Sequence, residues 1–187
     1  MKPRTIILII IATVIFCSPS AFSDNRVDIQ VSEAAVIVPA NDSVSSRLLF
    51  KFDLPTKLND KRIDFAQIVF YAKIDTSSRY SALLGGHAVT TNWNKAGVSW
   101  SNPWTIEGGD YNDSLYEIGL IKARTDGKVR LNITHLVERW VHESVPNYGI
   151  IIIPLEEERK ITELVHPSSF PEGVFAKVMI FFSYTHP

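Results

Sequence analysis

Residues 24–187 read as one all-β domain, an antiparallel jelly-roll β-sandwich with one short helix near residues 134–143. Three observations predict it. Apolar–polar alternation recurs in short segments along the chain, as strands with one buried face require. Gly, Pro, Asn and Asp cluster between those segments as turns. Only one segment, after Ile133, changes to a helical period. About ten short strands with a single helix fit two packed layers.

The chain starts with a segment that does not belong to this pattern. Lys2 and Arg4 precede an apolar run from Ile6 to Phe16, and Ala21 and Ser23 stand three and one residues before Asp24. This is the layout of a secretory signal peptide over residues 1–23. The run is shorter than the roughly 20 residues that cross a bilayer, so no membrane span is expected after cleavage. The expected location is secreted, periplasmic or on the cell surface. Cys17, the only cysteine, leaves with the signal, which excludes thiol catalysis and disulfides in the mature domain. The formal charge of −1 gives no basic field for nucleic acid.

The elements follow in order. Val27–Val31 and Ala34–Val38 are short strand candidates. In the next, Leu48, Phe50, Phe52 and Leu54 share one face, which assigns Phe50 and Phe52 to the core. From Phe65 to Ile74, Ala66, Ile68, Phe70, Ala72 and Ile74 point one way. Ser81–Val89 and Tyr116–Ile121 are shorter candidates. Val129, Leu131 and Ile133 alternate inward before the helix. In that helix Leu136, Val137, Trp140 and Val141 form one stripe, with Thr134 as N-cap and Pro146 and Gly149 as the stop. Trp140 therefore belongs to the core. The apolar run Ile150–Ile153 reads as a strand covered on both faces. Ile161–Val165 and the closing strand Phe175–Tyr184 complete the set.

Catalytic patterns are scarce. His135 and His142 are seven apart on the helix, whereas helical metal pairs usually stand three or four apart. Gly85-Gly86-His87 lacks the helix a phosphate loop needs, and no G-x-S-x-G occurs. Asp110, Asn112 and Asp113 form an acidic loop after Gly108-Gly109. They are the weak candidates for a structural Ca²⁺, with a low ligand count and ordinary turn chemistry against them. No cofactor is otherwise expected, and no enzymatic activity.

Several blocks match a known pattern. Arg47-Leu48-Leu49-Phe50-Lys51-Phe52-Asp53-Leu54-Pro55, Trp93 followed by Val98-Ser99-Trp100-Ser101-Asn102, Val129 to Trp140, and Asn147-Tyr148-Gly149-Ile150-Ile151-Ile152 come in the order of the DNRLRE domains. The final strand fits as well. The chain thus resembles the DNRLRE domain family, grouped with carbohydrate-binding module family 96, over roughly residues 30 to 185. The resemblance implies a secreted or surface-bound jelly roll, usually an accessory to a polysaccharide-degrading enzyme. Some members of the family bind polysaccharide, alginate among them. Here no catalytic domain is expected alongside.

The expected function is non-catalytic binding of an extracellular or cell-surface polysaccharide, uronic-acid-containing chains included. Three of the four tryptophans, Trp93, Trp100 and Trp104, fall in one polar segment. Trp93 and Trp100 stand on the matched framework and are assigned to the core. Trp104, Tyr111 and Tyr116 are the candidate stacking platform, with Arg79, Lys95, Lys122 and Arg124 as candidate partners for a sugar carboxylate. The alternative is a structural or adhesive envelope protein with a protein partner, docking through the apolar closing strand at a sheet edge. A small hydrolase using carboxylates from separate strands is the third reading, with no positive feature behind it.

Overall fold

A computed structural model describes residues 25–41, 44–74, 81–121, 127–143, 145–156 and 161–184. Among them are ten strands and one α-helix: β1 (Arg26–Gln30), β2 (Glu33–Ile37), β3 (Arg47–Lys51), β4 (Lys61–Ile74), β5 (Ala82–Val89), β6 (Tyr111–Ile121), β7 (Lys128–Asn132), α1 (Thr134–His142), β8 (Ile150–Pro154), β9 (Ile161–Leu164) and β10 (Ala176–Tyr184). The signal-peptide assignment to residues 1–23 lies outside the described residues. No helix among the described residues is long and apolar enough to cross a membrane.

The strands form two antiparallel sheets packed as a sandwich. The first runs β1-β10-β4-β7, with β9 also pairing to the end of β4; the second runs β2-β3-β8-β5-β6. Strand alternation decides which side chains meet between the layers. Leu48 and Phe50, Ile68 and Phe70, Val129 and Leu131, Ile150 and Ile152, and Val178 and Ile180 fall two apart, Leu84 and Ala88 four apart, and all enter one core. Phe50 and Phe70 meet there with ring centroids 5.0 Å apart.

Helix α1 closes one end of this core. Leu136, Val137 and Trp140 are buried, and the Trp140 indole meets the buried Phe52 edge-on at 5.8 Å. Thr134 is not the N-cap: it is the first helical residue, and Ile133 holds the cap position without a side-chain bond. The Thr134 hydroxyl is occupied instead by strand β4, accepting from the Ala66 amide at 2.9 Å. Asn132 Oδ1 accepts the Thr134 amide at 2.9 Å in place of a cap. The strand-to-helix step is thereby tied to the sheet it leaves.

The closing strand is not a sheet edge. Strand β10 lies between β1 and β4 and is paired along both sides. Its apolar character comes from its central position, since Ala176, Val178 and Ile180 fill the core. The second sheet is covered on both faces along β3 and β8. Leu49 and Ile151 point away from the main core into a second buried cluster with Ile37, Val89, Trp93 and Trp104. That second cluster carries the candidate site.

Candidate ligand-binding site

The segment from Thr90 to Asp110 joins β5 to β6 across the outer face of the second sheet. Its indoles are the lid. Trp93 Nε1 donates to the Tyr148 carbonyl at 2.8 Å, and Trp104 Nε1 donates to the Ser99 carbonyl at 2.8 Å. Each indole thus satisfies its one polar group while the ring rests on Leu49, Ile151 and Val89.

Trp104, expected as an exposed platform, is only 7% exposed. Trp100, expected in the core, is half-buried and lies against the edge of the same cluster. Trp104 thus belongs to the cluster, and Trp100 packs against it with part of its ring open. The polar residues around Trp104 face outward and let the ring turn in.

Trp100 has a charged neighbour. The Arg47 guanidinium carbon lies 5.0 Å from the Trp100 ring and 5.5 Å from the Tyr111 ring. Arg47 Nη1 donates to the Gly108 carbonyl at 2.7 Å, while its Nε is buried without a hydrogen-bond partner. No ion pair among the described residues includes Arg47.

Arg47 stands between two open clefts. One, of about 530 Å³, is lined by Val38, Pro39, Ser99, Trp100 and Glu107 with Arg47. The other, of about 520 Å³, is lined by Thr90, Thr105, Asp110, Tyr111 and Asp113, again with Arg47 and Glu107. Both are wide enough for a sugar ring, and each offers an aromatic side chain beside hydroxyl and carboxylate groups.

Asp110 holds the second cleft in shape. Its carboxylate accepts the Thr91 hydroxyl at 2.7 Å, the Thr105 amide at 2.8 Å and the Ile106 amide at 2.9 Å. Burial alone pushes this carboxyl up, but the Thr105 and Ile106 amides and the Thr91 hydroxyl outweigh it and hold it below its ordinary value. Asn112 Oδ1 is committed to the Ser114 amide at 2.9 Å. Two members of the candidate Ca²⁺ set thus act as turn acceptors, and Asp113 is exposed at the cleft wall. No group of three or more His, Cys, Asp or Glu placed to hold a metal occurs among the described residues.

Asp110→Ala is expected to lower stability by about 1–3 kcal/mol at neutral pH, from amides left without their acceptor. A carboxyl with a lowered folded-state value stabilises above its unfolded value and loses that contribution as pH falls through the folded one. The gap between wild type and Asp110→Ala should therefore shrink as the pH falls below the ordinary aspartate value of 3.8. Thermal melts at pH 7 and in acid check this; a gap that acid leaves unchanged counts against the carboxylate's role.

The remaining candidates are dispersed. Tyr111 is at the site. Tyr116 is half-exposed and stacks on His87, at 5.4 Å between centroids. Burial pushes the His87 imidazole below its ordinary range, opposed by the Asn112 carbonyl and Asp113. Lys95 lines neither cleft; its ammonium lies 6.0 Å from the Phe175 ring and its amide donates to Glu33. Arg79, Lys122 and Arg124 lie outside the described residues. Sequence reasoning misses Arg47, whose one signal is a cation directly before the apolar Leu48-Leu49-Phe50 of its strand. Among known proteins, no protein-family model and no curated protein matches this chain.

Proposed function

We propose that this chain is a secreted, non-catalytic carbohydrate-binding domain of the DNRLRE kind, taking an extracellular or cell-surface polysaccharide with acidic sugars at the Arg47 site. The observation that carries the reading is Arg47 itself, in no ion pair among the described residues and lying against both Trp100 and Tyr111 at the junction of two clefts. With Nε buried and Nη1 donating to Gly108, the guanidinium offers its other Nη N–H groups to a carboxylate. The aromatic edges and the Thr90, Thr105 and Ser99 groups supply the apolar and hydrogen-bonding contacts a sugar ring uses. Millimolar to micromolar affinity needs roughly 4–8 kcal/mol, within reach of one charged contact and one or two aromatic faces.

The jelly-roll topology belongs to the same proposal. With β2 and β9 set aside as additions, the sheet orders β1-β10-β4-β7 and β3-β8-β5-β6 place first and last strands side by side and interleave the others. That arrangement supports a chain wound as a double Greek key.

Isothermal titration with alginate, pectin and a neutral glucan tests the reading. Binding to the acidic chains is expected, weakened by salt and reduced at least about tenfold by Arg47→Lys and by Trp100→Ala. No binding across the panel, or equal binding to the neutral glucan by wild type and Arg47→Lys, removes it.

A further inference from the structure

The two clefts that meet at Arg47 differ in charge. Arg47 and Glu107 line both, so one guanidinium and one carboxylate stand in the shared wall. Val38, Pro39, Val44, Ser99 and Trp100 add no charge to the first cleft. Asp110 and Asp113 add two carboxylates to the second, whose described lining holds no further cation. One cation therefore stands with one carboxylate in the first cleft and with three in the second. None of the three acids takes part in an ion pair among the described residues. Asp110 stays charged at neutral pH through its bonds from Thr91, Thr105 and Ile106, and Glu107 and Asp113 are exposed.

We propose that the site selects polysaccharides in which an acidic sugar alternates with an uncharged one, an inference that rests on the Arg47 site binding acidic chains at all. The acidic unit belongs in the first cleft. There its carboxylate meets the Nη groups of Arg47 not given to Gly108, and its ring meets Trp100. The next unit falls in the second cleft, because the two clefts share a wall.

An uncharged ring is favoured there for two reasons. Its hydroxyls donate to Glu107 and Asp113, and hydrogen bonds to ionised acceptors are the stronger kind. It also brings no charge against the acids. A second uronate would instead add a carboxylate beside three others, with Arg47 already engaged, and like charges held together cost affinity. The second cleft thus supplies a contact for the right neighbour and a penalty for the wrong one, the two means by which a site discriminates. A chain of amino sugars is disfavoured from the other side, since its ammonium groups would meet Arg47.

Isothermal titration of the purified protein with two oligosaccharides of equal length tests this, in EDTA so that no divalent cation bridges carboxylates. A hyaluronan tetrasaccharide alternates glucuronate with uncharged N-acetylglucosamine, whereas tetragalacturonate carries a carboxylate on every ring. The hyaluronan fragment is expected to bind at least about fivefold tighter, although it carries fewer charges. Asp113→Asn should raise tetragalacturonate affinity about two- to fivefold by removing one like charge. It should change hyaluronan affinity by less than about twofold, because the amide oxygen still accepts a hydroxyl. Arg47→Lys should weaken both ligands. A smaller or reversed preference overturns the inference while leaving the acidic-polysaccharide reading in place, and so does a preference that Asp113→Asn leaves unchanged. Tighter binding of a glucosamine tetramer than of either acid overturns both, because the carboxylates and not Arg47 would then choose the ligand. Failure of every oligosaccharide to bind removes both as well.

Discussion

Trp104→Ala should be among the most destabilising single changes in this protein, lowering stability by about 3–5 kcal/mol. Burying one indole contributes on the order of 4–6 kcal/mol, from about 150–250 Å² at roughly 25 cal/mol per Å². Removing the ring opens a cavity in the cluster that holds Leu49 and Ile151, and it strips the Ser99 carbonyl of its donor. Trp100→Ala should behave differently. Its ring is half-exposed, and the loss is part of one face plus the Arg47 stacking, together about 1–2 kcal/mol. Its main effect falls on ligand affinity. Urea denaturation at constant slope separates the two variants by their midpoints. Equal midpoints would show that the indoles do not divide between cluster and cleft in this way.

The contrast shows what sequence spacing carries and what it leaves out. Period-two alternation identified the inward faces of β3, β4 and β7, because each face has only one place to go in a two-layer sandwich. The Ile150–Ile153 run announced a strand covered on both sides, and Ile152 and Ile151 do enter opposite clusters. The alternation predicts β4 only from Phe65, four residues short, because Lys61, Arg62 and Asp64 interrupt the apolar pattern. Pairing of Lys61, Arg62 and Ile63 with Tyr184, Ser183 and Phe182 extends the strand despite the charges, and Asp64 falls at a register shift. The sequence likewise predicts β6 only from Tyr116. Asn112, Asp113 and Ser114 look like a turn, yet they sit in the irregular stretch where pairing with β5 shifts register.

The site was less legible than the fold for a specific reason. Arg47 and Trp100 belong to separate blocks of the chain, and nothing local in either predicts that one ring will cover the other. Their meeting depends on the β5–β6 segment folding back over β3, which in turn depends on Trp93 and Trp104 having an apolar sheet face to cover. A tryptophan in a polar segment reads as exposed when the segment is considered alone. It reads as a lid once the far side of Leu49 and Ile151 needs covering.

Gly149→Ala is the second change expected to act strongly, costing more than about 3 kcal/mol or preventing folding. Gly149 has φ of +94°, and an added Cβ would lie 2.2 Å from the Phe50 carbonyl oxygen. A left-handed backbone alone costs a side chain about 1–2 kcal/mol. The contact with a strand carbonyl adds a displacement of β3 against β8, because backbone cannot swing aside as a side-chain end can. The position is also a junction. The Gly149 carbonyl accepts the Val89 amide at 3.0 Å, and its amide donates to Asn147 Oδ1 at 2.9 Å. Asn147 Nδ2 in turn reaches the Phe52 carbonyl at 2.9 Å, so β3, β5 and β8 are fastened together here. The neighbouring Tyr148 carbonyl holds Trp93, so a shift at Gly149 reaches the indole lid and loosens the Arg47 site. Gly173→Ala supplies the control: φ is +78° there, but nothing lies within 4 Å of the added Cβ. It should lose only the left-handed penalty. Chemical denaturation of the two variants isolates the steric part, and a Gly149→Ala loss no larger than that of Gly173→Ala would show that β3 and β8 yield freely at this junction.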